Sequence, residues 1–185
     1  MSDTDARRLT AKDLKRFCST DENRAYLHQP WSAGEWTFAT NRHIAVRVPR
    51  LDGVPENDKA PTANILKIFD FQMPPMRPLN IVELPTAEET ECEECDGRGR
   101  QHTCPDCQCP CPCQKCDGSG VVLGKQCVLI GTTYFDVKYI RLLFDLRASV
   151  PVEIKGNPMP FIFDGGVGVL MALFWRYGDF VDIRV

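Results

Sequence analysis

Cys92-Glu93-Glu94-Cys95-Asp96-Gly97-Arg98-Gly99 recurs further along as Cys113-Gln114-Lys115-Cys116-Asp117-Gly118-Ser119-Gly120, and this repeated C-x-x-C-x-G-x-G phrase decides how the chain is divided. Between the two copies lie Cys104-Pro105-Asp106-Cys107, Cys109 and Cys111, leaving only Cys18 and Cys127 of the 10 cysteines outside. The surrounding segment, 86–124, is rich in Cys, Gly, Pro and Glu and has almost no large apolar residue before Val121. Such a segment cannot bury enough apolar surface to offset its conformational entropy, so something other than a core must hold it. A C-x-x-C pair folds into a tight knuckle whose two thiolates converge on one point, and two pairs complete a tetrahedral Zn²⁺ site. Cys92, Cys95, Cys104, Cys107, Cys109, Cys111, Cys113 and Cys116 are therefore the candidate metal ligands, the right number for two sites, with His102 able to replace one of them. The glycines after each knuckle permit backbone turns that a residue with a Cβ resists.

Outward from this insertion, the totals are those of a globular protein: 185 residues, 43% hydrophobic and 25% charged, net charge -3. They exclude a uniformly basic nucleic-acid-binding chain, so any DNA surface must be a local patch. The first 30 residues hold no apolar run like a signal-peptide core, and the longest apolar run, 167–175, is about half of the ~18 residues a membrane span needs. The expected location is intracellular and cytoplasmic, with no membrane partner. In a reducing compartment clustered cysteines bind metal rather than form disulfides. A redox C-x-x-C would expect a βαβ context that is absent here. An all-cysteine site is also closed, which favours a structural over a catalytic metal.

The flanks, 1–85 and 125–185, read as core-forming sequence with a shared plan. In the first, Thr10 caps a helix over 11–18 with Asp13 completing a capping box; Leu14, Phe17 and Cys18 share one face, Lys12, Lys15 and Arg16 the other. A hairpin follows, Glu35 to Thr40, a turn at Asn41-Arg42-His43, and Ile44 to Val48. A proline-rich connector, 73–78, leads to a strand-like run over 79–84. In the second flank 135–144 reads as an amphipathic helix whose polar stripe holds Lys138, Arg141 and Asp145. Strands follow at 150–154, 160–163 and 168–173, with turns at Gly156-Asn157-Pro158 and Asp164-Gly165-Gly166. The expected fold class is α+β, two helix-plus-antiparallel-strand units interrupted by a cysteine-rich zinc module at 86–124.

The run Phe135-Asp136-Val137-Lys138-Tyr139-Ile140 together with 160–171 resembles the closing half of a bacterial DNA polymerase sliding-clamp domain. Ala39-Thr40-Asn41-Arg42-His43-Ile44-Ala45 is similar to the hairpin of that family's other unit. Ala172 stands where the family has proline, and the chain holds one such domain where clamp subunits carry three. The resemblance implies a clamp-like fold with helices turned toward DNA, and Lys12, Lys15, Arg16, Lys138 and Arg141 as its phosphate contacts. A ring would need several copies, so a homo-oligomer is one expectation. The outer cysteine repeats resemble the zinc module of DnaJ-type chaperones, in which the first and last repeats share one zinc. Carried over, that implies one site of Cys92, Cys95, Cys113 and Cys116, and a second begun by Cys104 and Cys107 and completed by Cys109 and Cys111. No His-Pro-Asp occurs, so co-chaperone activity is not implied.

Charge separates two surfaces. Eight acids against three bases give 86–124 a net -5 and leave the rest at +2. Each Zn²⁺ held by four thiolates adds -2, so a doubly loaded module approaches -9. The module is thus expected to face a protein partner, and double-stranded DNA to lie on the basic helices. The leading expectation is a non-enzymatic, DNA-associated protein that tethers replication or repair proteins. The alternative is a clamp-fold adaptor or chaperone-like zinc protein without DNA binding. No Ser/His/Asp grouping, phosphate loop or paired carboxylates argue for an enzyme.

Overall fold

A computed structural model describes residues 9–80, 89–103, 109–114, 116, 118–123, 127–154, 157–173 and 181–182. The chain forms two compact units, Met1–Glu83 with Cys127–Val185, and Leu84–Gln126. The fold is mixed α and β, with a mostly antiparallel sheet and a cysteine cluster. Among the described residues no helix is long and apolar enough to cross a membrane.

The first flank supplies helix α1 (Ala11–Leu14), strands β1 (Trp31–Ala33), β2 (Trp36–Thr40) and β3 (Ile44–Pro49), helix α2 (Thr62–Ile68) and strand β4 (Met76–Pro78). The inserted unit supplies β5 (Glu89–Glu91), β6 (Arg100–Thr103), β7 (Pro110–Pro112) and β8 (Val121–Leu123). The second flank supplies β9 (Cys127–Ile130), β10 (Thr133–Asp136), α3 (Val137–Asp145), β11 (Ser149–Pro151), β12 (Met159–Phe163), β13 (Gly166–Leu170) and β14 (Val181–Asp182).

Seven of these strands build one sheet in the order β1-β2-β3-β13-β12-β11-β4. The hairpins of the two flanks meet edge to edge where β3 pairs antiparallel with β13, Val46 opposite Gly168. Alternation along β2, β3 and β13 sends Phe38, Ala45 and Val169 to one face. There they pack with Leu27, Trp31, Ile65 and Phe69, all buried. A 3₁₀ turn, Lys15–Phe17, packs on β2 and β3. Gly168 faces Phe161 across the β12–β13 pair, and the phenyl ring fills the space where a glycine Cβ would stand.

Several boundaries differ from the sequence reading, each for a local reason. The Thr10 capping box forms as expected, but the helix over 11–18 tightens to 3₁₀ from Lys15 and ends at Cys18, whose backbone is extended. Helix α3 starts at Val137, not 135. Phe135 is the buried inward residue of β10 opposite Val128, and Asp136 is the N-cap, its carboxylate accepting from Lys138 N at 2.9 Å. Inside the proline-rich connector a strand not expected from the sequence forms, β4. Prolines are tolerated there because, among the described residues, β4 is a sheet edge and pairs only with β11. Of the strand-like run over 79–84, Leu79 and Asn80 are outside any strand, and residues 81–84 lie outside the described residues.

Candidate metal centre

Each knuckle is built by its own backbone. Cys95 N donates to Cys92 O, and Gly97 N donates to the same carbonyl at 3.1 Å. In the second copy Gly118 N donates to Cys113 O, also at 3.1 Å. The two copies then clasp reciprocally: Cys92 N donates to Gly120 O and Cys113 N to Gly99 O, both at 2.9 Å. Strands β5 and β8 pair directly before the first knuckle and after the second, closing the base of the unit. All four glycines of the repeats have φ between +70° and +81°, the left-handed region a Cβ disfavours.

This folding brings the sulfurs of Cys92, Cys95, Cys113 and Cys116 within 4.8 Å of one another. All four side chains are buried, with Val122 packed against them. The Cys92–Cys113 and Cys95–Cys116 sulfur separations are 3.8 Å. That is far beyond a disulfide bond. It matches the ~3.8 Å edge of a tetrahedron with metal–sulfur bonds of about 2.3 Å. Four buried sulfurs this close together fit the ligand set of a single metal ion.

The electrostatics favour a cation. Burial pushes the Cys95 thiol up to about 11, although Gly99 N donates to its sulfur at 3.2 Å. At Cys116 the same burial is outweighed by the Gly120 N–H, 3.3 Å from the sulfur, and by the neighbouring thiols, which bring it down to about 7. The Cys116 thiol thus ionises readily, whereas Cys95 holds its proton until a positive charge arrives beside it.

The remaining ligand candidates divide. Cys109 is exposed just before β7, and Cys111 is half-buried within it. Cys104 and Cys107 lie outside the described residues, and His102 is placed only as part of β6. Among the described residues the outer quartet is the one cluster of its kind. Cys18 and Cys127 are buried in the other unit.

The five basic candidates are all exposed, on or beside α1 and on α3. Arg16 forms an ion pair with Asp145, joining the two helical segments. Lys138 pairs with Asp136 at 3.1 Å and lies 4.7 Å from the Tyr139 ring centroid. Sequence reasoning passed over α2, and with it a cavity of about 310 Å³ lined by Leu27, Thr40, His43, Ile44, Ile65, Ile68, Val169 and Met171, with Arg42 at its wall. The signal lay in the apolar spacing of Ile65, Ile68 and Phe69. No family model matches the chain, and no curated protein or solved structure matches it significantly.

Proposed function

We propose that the chain is a non-enzymatic, DNA-associated tethering protein of sliding-clamp type, in which a zinc-stapled module docks a protein partner. The observation that carries the reading is the Arg16–Asp145 ion pair. It sets the first helical segment beside α3, so that Lys12, Lys15, Arg16, Lys138 and Arg141 belong to adjoining helices, the arrangement a phosphate backbone needs. The mainly apolar cavity beside α2 supports the tethering half, since it suits apolar side chains of a bound peptide. In the module a closed, buried set of four thiolates suits structural zinc. The second zinc, on Cys104, Cys107, Cys109 and Cys111, belongs to the same proposal. The module's acidic surface, Glu89, Glu91, Glu93, Glu94 and Asp96 included, suits a basic partner.

A second reading, an adaptor without DNA binding, is favoured by the carboxylates already paired with Arg16 and Lys138. Fluorescence anisotropy with a short DNA duplex separates them. Five phosphate contacts give a log–log salt slope of about -4.5, and neutralising the five residues together should abolish binding. A duplex that fails to bind at low salt leaves the adaptor. Elemental analysis should find about two zinc ions per chain; a metal-free protein with an intact fold overturns the zinc assignment.

A further inference from the structure

We propose that the cavity enclosed by the first helical segment, the Asp21-capped 3₁₀ segment and α3 is a seat for a phosphate group, with Arg24 as a ligand alongside Arg16 and Lys138. The site rests on the DNA reading for its biological source but not for its chemistry. The cavity measures about 440 Å³ and receives three cations from three separate elements, with Tyr139 at its wall. Arg16 belongs to the turn after α1, Arg24 to the segment Glu22–Leu27, and Lys138 to α3.

Each cation is held by one carboxylate: Arg16 by Asp145, Arg24 by Asp21 at 3.2 Å, and Lys138 by Asp136 at 3.1 Å. Of these carboxylates only Asp21 lines the cavity. Asp136 and Asp145 steady their cations from outside it. A guanidinium has five N–H donors and an ammonium three, so each cation held by a single carboxylate keeps donors for an oxyanion. Such exposed pairs contribute little stability, whereas arginine forks match phosphate oxygens two at a time. The Tyr139 hydroxyl accepts from Asn41 Nδ2 at 3.2 Å and retains its own proton to donate.

The field on the cavity wall is consistent with this. His43 lines it and stacks on Tyr139 with centroids 5.8 Å apart. Its pKa is lowered by burial first and then by Lys138, Arg24 and Arg42, against an opposing push from Asp136. Positive charge therefore dominates at that ring, and an anion entering the cavity would relieve it.

The test is titration of the full chain with pyrophosphate, followed by calorimetry and by the NMR signals of the His43 ring. Saturable binding that shifts His43, and weakens tenfold or more in Arg24→Gln and in Lys138→Gln but not in Lys12→Gln, is the expected result. Both altered side chains reach solvent, so the fold should survive, and circular dichroism checks it. No binding, or binding indifferent to Arg24 and Lys138, overturns the site. A DNA duplex distinguishes the sources: competition with pyrophosphate and a tenfold loss of duplex affinity in Arg24→Gln identify backbone phosphate. Pyrophosphate binding without duplex binding identifies a free phosphate ester, and then the DNA reading fails while the site stands. Duplex binding without pyrophosphate binding does the reverse.

Discussion

A β-carbon on Gly99 would collide with the carbonyl of Gly118, and one on Gly120 with the carbonyl of Gly97. Both residues also donate their N–H to a cysteine sulfur. Gly99→Ala and Gly120→Ala should therefore each weaken metal binding by about ten- to a hundredfold, the range for losing groups that orient a ligand. Competition against a coloured chelator measures this, and alanine variants with unchanged affinity would refute the clasp. Cys18 makes the opposite kind of statement. Burial pushes its thiol up to about 11, against a smaller lowering from Lys15, so it is inert at neutral pH. An unfolded thiol ionises near pH 9, and between there and about pH 11 the unfolded chain sheds a proton the folded chain keeps. Stability contributed by this group is complete below pH 9 and is lost as pH rises through 11. Urea unfolding at pH 8 and pH 10.5 should show a smaller loss for Cys18→Ala than for the parent protein, and equal losses would refute it.

Among the elements, the start of α1 was legible because its cap is local chemistry. Thr10 accepts from Asp13 N, and the Asp13 carboxylate accepts from Thr10 N at 2.9 Å. Thr10→Ala should cost about 1 kcal/mol, read from the shift in denaturation midpoint at constant slope; no shift would mean the short helix contributes nothing to the cooperative fold. Around Phe135 two periods overlap. Its inward position in β10 and its place ahead of α3 give the same apolar pattern, so only the pairing with Val128 decides that the strand runs to Asp136. The connector's strand was hidden for a different reason. Proline argues against a ladder position unless one edge of the strand is free, and that freedom belongs to the sheet order, not to residues 76–78.

At the scale of the whole molecule, the two units are held by different forces. The unit carrying the seven-stranded sheet has a buried aromatic and aliphatic cluster. The inserted unit's buried side chains are chiefly four cysteines. Chelation should therefore abolish amide protection around Cys92–Cys95 and at Cys113 and Cys116 while leaving β2, β3, β12 and β13 protected. Hydrogen exchange with and without chelator checks this, and protection that persists across the insertion would show a unit folded without metal. The sequence by itself determined the knuckles, the left-handed glycines, the Thr10 cap and the alternation of the hairpins, because each depends on backbone geometry within a few residues. The outer quartet of cysteines was expected from the resemblance of the repeats, and the fold brings those four sulfurs together. Tertiary structure alone decided that β3 joins β13 and β4 the far edge, and that Arg24 shares a cavity with Arg16 and Lys138. Those pairings join residues far apart in the chain, and they follow from which surfaces can be buried together and in which register, which no local spacing records.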